Sequence, residues 1–360
     1  MKHHVSMLLL FNLLLIAFGE TLSIEKPTTA MPTPERLDNS CIHIGRVISI
    51  QGEVQMRRKG WGSYHPIADG TELCSGDLLE PSNGTKAIVQ CANLALNLWI
   101  LPDDELSSVN SGCRPPKKPT YSISVPITPT RDPFARRIPY IISPNNTWVL
   151  SNQPILRWSD VPGATSYVIR VSGLGVDWKQ EVKTTKLVYS GQPPLKPLGE
   201  GYLIKVEANN GESAAKATFS LIAPTQAAQV RDAIARLNRE KLTDDAKTLA
   251  ISEIYITQGL ISEATELLEA AVAKGSKTVA VYYTLGNLYS HIELFEPALK
   301  EFLTALKLAV DTRDIEGQAI ASARLGEVYK AIGEQDKATY WLKKAQVKQQ
   351  ALISLKPVSY

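Results

Sequence analysis

The sequence predicts a multidomain β + α chain in which two all-β domains precede an all-α solenoid. Three observations carry this expectation. Residues 245–278 and 279–312 stand in register at a period of about 34, and residues 319–352 repeat the same sparse pattern; a helix–turn–helix unit has that length. The cysteines Cys41, Cys74, Cys91 and Cys113 all fall in one glycine-punctuated stretch, and the helical third has none. Residues 145–222 hold runs with the two-residue alternation of half-buried strands.

The N-terminus has the pattern of an export signal. Lys2 supplies a positive start, Val5 to Phe18 is uncharged and apolar, and Ala17 and Gly19 are small residues at a cleavage-site spacing. The apolar run is shorter than the ~20 residues a spanning helix needs, and Glu20 ends it. Residues 1–19 are therefore expected to be a signal peptide, with retention as an anchor the alternative. Residues 20–40, rich in Pro, Thr and Ser, read as a flexible spacer. After cleavage no transmembrane segment is expected, and the protein is placed outside the cytosol, in a periplasm, at the cell surface or in the medium. The formal net charge of +3 is nearly balanced and argues against nucleic acid.

Residues 41–113 read as all-β. Arg46–Ile50, Glu53–Arg57, Lys86–Cys91 and Leu94–Ile100 are alternating or β-branched, with Gly52, Gly60, Gly70, Gly76 and Gly84 at turn spacing. Four clustered cysteines in an exported protein read as two disulfides. Three connectivities are open; symmetry of position favours Cys74 with Cys91 and Cys41 with Cys113. Zinc is the competing reading, but no C-x-x-C occurs and His43 and His65 lack ligand spacing. The elements Gly45-Arg46-Val47, Gln51-Gly52-Glu53-Val54, Trp61, Asp69-Gly70-Thr71-Glu72-Leu73 and Gly76-Asp77-Leu78-Leu79 resemble the periplasmic FecR domain. That resemblance implies a binding or wall-associated module, with Trp61 and Trp99 as candidate glycan contacts, each also readable as a core residue.

Residues 114–144 carry eight prolines and read as a semi-rigid linker that holds two domains apart; its basic residues Arg114, Lys117, Lys118, Arg131, Arg136 and Arg137 read as solvated. In residues 145–222, Tyr167, Ile169 and Val171 point one way and Val168 and Arg170 the other. Asn209-Asn210-Gly211-Glu212 reads as a hairpin turn with positive φ at its centre. The run Trp158-Ser159-Asp160-Val161-Pro162-Gly163-Ala164-Thr165-Ser166-Tyr167 is similar to the start of a fibronectin type III or immunoglobulin-like sandwich, with Trp158 in its core.

The rest is expected to be helical. Thr225, after Pro224, starts a capping helix over residues 225–243, and Thr243 or Asp244 caps the next helix. Three helix pairs follow, with an insertion expected around Asp314–Gln318. Tyr282, Leu285, Gly286, Tyr289, Ala298, Phe302 and Ala305 mark the second unit. Tyr255, Ala264, Leu268 and Ala271 answer in the first, and Leu325, Gly326, Tyr329, Ala338, Leu342 and Ala345 in the third. This pattern resembles the tetratricopeptide repeat (TPR).

The resemblance implies a concave face built from the first helix of each pair. Mapped onto this chain, its positions are Leu249, Glu253 and Ile256, then Tyr283, Asn287, Ser290 and His291, then Ala323, Glu327 and Lys330. Of the Lys/Asn/Arg set that clamps C-terminal carboxylates in some repeats, only Asn287 is in place. No catalytic pattern is present. Gly-x-Ser-x-Gly and phosphate-loop motifs are absent, and His43 and His65 lie in a different domain from His291. The expectation is a non-enzymatic exported scaffold, without cofactor or metal, that binds a protein or peptide. The alternative is a peptidoglycan- or other glycan-binding module.

Overall fold

The computed structural model describes residues 41–92, 98–114, 138–197, 201–211 and 213–354. The expected signal peptide and spacer and the linker residues 115–137 lie outside them. All described residues belong to one compact unit, Cys41–Tyr360.

The first β module contains β1 (His43–Gln51), β2 (Val54–Arg57), β3 (His65–Pro66), β4 (Glu72–Cys74), β5 (Leu78–Pro81), β6 (Lys86–Cys91), β7 (Leu98–Ile100) and β8 (Ser107–Ser108), then a single helical turn, α1 (Val109–Gly112). They form two four-stranded sheets, ordered β4-β1-β6-β7 and β3-β2-β5-β8. Ile44, Val47, Met56, Leu73, Leu79 and Val89 close the core between them. The Gly76-Asp77 turn forms as its chemistry requires: Gly76 takes φ +91° and Asp77 Oδ2 accepts from Cys74 N at 2.8 Å.

The favoured disulfide pairing is corrected. Cys41 bonds Cys74 and Cys91 bonds Cys113, with Cα separations of 5.1 and 5.2 Å. The reason is strand register. β1 pairs antiparallel with β4, bringing His43 opposite Cys74, so the chain just before β1 lies beside Cys74. α1 returns the chain to the end of β6, which sets Cys113, just past α1, beside Cys91, the last residue of that strand. Symmetry along the sequence carries no information about this adjacency.

The second β module comprises β9 (Ile141–Ser143), β10 (Thr147–Val149), β11 (Ile155–Trp158), β12 (Tyr167–Gly173), β13 (Val176–Val182), β14 (Lys186–Val188), β15 (Tyr202–Ala208) and β16 (Ala215–Leu221). A five-stranded sheet, β10-β16-β15-β12-β13, packs with a three-stranded one, β14-β11-β9. Trp158, Tyr167, Ile169, Val171, Ile204 and Phe219 are buried in the core between them. The connection after Ala208 is a longer loop than a two-residue turn. Gly211 N bonds Ala208 O at 3.0 Å, and Glu212 of the expected turn lies outside the described residues.

Seven helices follow: α2 (Pro224–Leu237), α3 (Asp244–Thr257), α4 (Ile261–Ala273), α5 (Val279–His291), α6 (Phe295–Asp311), α7 (Ile315–Ala331) and α8 (Gln335–Ser354). Short connections within each pair make α3–α4, α5–α6 and α7–α8 antiparallel hairpins. Gly259 and Gly333 end the first helices of two pairs in the left-handed region. Thr243 is the N-cap of α3, accepting from Ala246 N at 3.2 Å. Two expectations are corrected. Pro224, not Thr225, opens α2, because a first-turn residue needs no N–H. The extra residues around Asp314–Gln318 form no separate connecting segment: Asp314 caps α7 through Gly317 N at 2.8 Å, and helix begins at Ile315. Among the described residues no helix is long and apolar enough to cross a membrane.

The two β modules do not stand apart. Ile48, with Ile88 and Leu98 beside it, and Ile222 and Leu150 from the second module share one apolar cluster. Val230 and Leu237 of α2 and Ala250 and Ile254 of α3 complete it. The helix expected to cap the first repeat is thus the meeting point of all three parts.

Within the array the hairpins close on small residues. A Cβ at Gly286 would lie 2.7 Å from the Phe302 ring, and one at Gly326 would lie 2.7 Å from Leu342 Cγ. Intrinsic helix propensity favours Ala over Gly by about 1 kcal/mol. Gly286→Ala is nevertheless expected to lower stability by about 1 kcal/mol net, because overpacking costs about 1–3 kcal/mol. Urea unfolding of the variant checks this; a gain in stability would refute the close crossing.

Candidate functional site: the first-helix face of the array

The first helix of each pair, α3, α5 and α7, presents the face on which the sequence placed partner-binding residues. That face is already occupied by the chain's own first β module. Strand β1 lies against it with Arg46 and Ile48, two residues apart and so on one side, turned to the helices.

Arg46 is buried and its guanidinium is bonded in three directions. Nε donates to Glu253 Oε2 at 3.3 Å, Nη1 to Gly70 O at 3.0 Å and Nη2 to Glu72 Oε1 at 2.8 Å. His43 Nε2 meets the other Glu253 oxygen at 3.1 Å. A bulge between His43 and Gly45 lets both cations reach one carboxylate from a single strand. Burial alone would raise the Glu253 carboxyl, but His43 and then Arg46 outweigh it and hold it at about 2. Burial likewise opposes the charge on His43, and Glu253 more than offsets it, leaving its pKa raised.

Two further contacts extend the docking along the array. Arg58 bridges Asp77 of its own module and Glu316 at the start of α7, at 3.0 and 2.5 Å. One guanidinium serves two carboxylates, so burial, with Asp314 and Asp77 nearby, leaves Glu316 raised in spite of it. His65 Nε2 lies 3.3 Å from Leu352 O near the end of α8. The Asp69–Glu72 turn meets α5: Gly70, at φ +91°, faces Ala280 so closely that a Cβ would overlap it, and would also sit 3.1 Å from Leu249 Cδ1. Beside this contact a cavity of about 310 Å³ remains, lined by residues 68–72, Lys277–Ala280 and Tyr283, and by Asp314, Glu316 and Ile320.

This arrangement places the sequence-assigned residues as follows. Leu249, Glu253, Ile256, Asn287 and Ser290 are buried within the chain, so in this arrangement they are closed to a second molecule. Tyr283, His291, Ala323 and Glu327 are partly exposed and Lys330 is exposed. Glu327 is paired with Arg324 at 2.7 Å. Trp61 packs at the edge of the module core, under the Arg58 guanidinium and edge-on to His65. The Trp99 ring lies directly on Gly112. Arg46, His43, Arg58, Gly70 and Glu316 were not assigned to the site from sequence. The available signal was Arg46 inside the run Ile44–Ile50, whose only other polar side chain is Ser49 and which is too apolar for a strand with one wet face.

The second β module docks on the other side of the first hairpin. Thr147 Oγ1 donates to Gly259 O at 2.6 Å and accepts from Ile261 N at 3.0 Å, tying β10 to the α3–α4 turn. Arg157 grips Glu269 with both terminal nitrogens, at 2.7 and 3.0 Å. Leu150 N donates to Glu263 Oε1 at 2.6 Å, whereas Oε2 is buried without a hydrogen-bond partner. Burial, more than that bond relieves, pushes Glu263 up to about 7, with Glu266 adding repulsion.

Glu253 at the first junction and Glu263 at the second respond to pH in opposite senses. Glu253 is depressed from 4.5, so its contribution is present above about 4.5 and is lost as pH falls toward 2. Glu253→Gln should cost about 3 kcal/mol at pH 7, since it leaves a buried cation short of its partner, and should flatten the acid limb of stability against pH. Glu263 is raised, so its contribution is complete below about 4.5 and lost as pH rises through about 7. Glu263→Gln keeps the Leu150 bond and should stabilise by about 1–3 kcal/mol at pH 8 but not at pH 4. Denaturant unfolding across pH reads both; a Glu263→Gln gain equal at the two pH values would contradict the burial argument.

No family model matches the chain, and no curated protein matches it. Solved structures give partial likenesses. MamA aligns at 20% identity with TM-score 0.30, covering 34% of this chain and 70% of its own. MamA MSR-1 C2 aligns at 18% identity and TM-score 0.20, covering 35% and 90%. BtubC (BKLC) from P. vanneervenii aligns at 17% identity and TM-score 0.20, covering 38% and 76%.

Proposed function

We propose that this is an exported, non-catalytic protein-interaction scaffold. In this reading the helical part is a tetratricopeptide-type array, and a FecR-like module and a fibronectin III- or immunoglobulin-like sandwich are mounted on it. The observation that supports it is the occupancy of the first-helix face. A surface that seats a folded β-sheet through Glu253, Glu316 and the close Gly70–Ala280 approach has the chemistry of protein recognition. Two disulfides, both internal to the first module, suit a protein that works outside a reducing compartment.

The test is photo-crosslinking in the native cell from single sites on the full chain. Probes at Glu327 and Lys330, on the face the module leaves accessible, are expected to give discrete protein adducts. A probe at Val188, exposed on the second β module, is expected to give none. Absence of adducts at the first two positions, or equal adducts at all three, would overturn the reading.

A further inference from the structure

Both carboxylates that α3 and α7 offer to the first β module are paired, among the described residues, only with cations of that module. Glu253 meets His43 and Arg46, and Glu316 meets Arg58. When the module leaves, the array keeps two carboxylates without counter-charge, and an incoming chain must replace the cations. The bond directions at Arg46 name the replacement. A planar guanidinium reaches Glu253 through Nε while its terminal nitrogens bond Gly70 O and Glu72 on the incoming side. An ammonium, a point charge with no such fork, does not reproduce this arrangement.

Three features make the module an occupant that can leave. Much of its contact is ionic, and buried ion pairs add little net stability over a competing partner of the same chemistry. Its apolar contact with the helices centres on Ile48, Ile88 and Leu98, and the cavity of about 310 Å³ leaves the interface incompletely packed. The module's disulfides are internal to it, so it stays closed on departure, and the second β module holds the array independently through Thr147, Leu150 and Arg157. The chain between Arg114 and Ile138 could reach roughly 80 Å at full extension, so covalent connection does not prevent displacement.

We propose that the first-helix face is an arginine-receptive protein-binding site, held in cis by the module's Arg46 and entered by a partner whose exposed arginine displaces it. This rests on the reading of the array as a protein-binding surface and specifies what that surface selects.

The probe is a synthetic peptide copying residues 43–51, with versions carrying Arg46→Ala or Arg46→Lys, titrated against the full chain. Gly70→Val opens the site from the module side, because its side chain collides with Ala280 while the helices stay unaltered. The peptide is expected to bind this variant at least tenfold more tightly than the native chain. Either peptide substitution, or Glu253→Gln added to the variant, is expected to cost at least tenfold. Equal affinity for native and Gly70→Val chains, indifference to the peptide's arginine, or no binding would each overturn the proposal. Should Gly70→Val misfold, Ala280→Cys in the otherwise native chain gives a second readout. Excess peptide is expected to speed maleimide labelling of that thiol at least tenfold, and an unchanged rate overturns the proposal. Adducts at Lys330 in cells without peptide binding would sink the arginine site alone. Peptide binding without adducts would sink the scaffold reading alone.

Discussion

A charged side chain on a strand buried on both faces organises this molecule. β1 turns Ile44 and Val47 into its own module and Arg46 and Ile48 onto the helices. Removing Arg46 from water is expensive unless every donor is matched. The matching comes from three places, a helix carboxylate, a strand carboxylate and a turn carbonyl. That requirement fixes the position of the module on the array more narrowly than apolar contact alone could, because apolar burial is non-directional.

The rest of the docking follows from that anchor. With Arg46 seated on α3, the Asp69–Glu72 turn falls on α5, where a residue without a side chain is needed, and Gly70 provides it. Farther along, Arg58 reaches α7 and His65 the end of α8. The module therefore runs across all three hairpins. α2 has a related part: its Val230 and Leu237 bury apolar side chains from both β modules as well as from α3. A helix that would cap a free-standing array here joins three bodies.

The second junction uses different physics. Thr147, Leu150 and Arg157 grip the α3–α4 hairpin through backbone groups and one bidentate ion pair. Glu263 is the weak member, a carboxylate buried with one oxygen unmatched. Acid therefore favours this junction, while it weakens the Glu253 cluster only at much lower pH.

What the amino-acid order determined by itself is local. The in-phase helices, the Gly286–Phe302 and Gly326–Leu342 crossings, the buried Trp158 and the Gly76-Asp77 turn all depend on residues near in sequence or on a repeat period. So do the helix stops at Gly259 and Gly333. Tertiary structure alone decided the disulfide partners, because strand register places Cys41 beside Cys74. It also decided that Glu253, assigned from repeat position to an open face, faces Arg46, more than two hundred residues earlier in the chain. Repeat periodicity reports which side of a helix is turned to the groove. It carries no term for what fills the groove, since that depends on charge and shape matching between segments whose separation along the chain leaves no periodic trace.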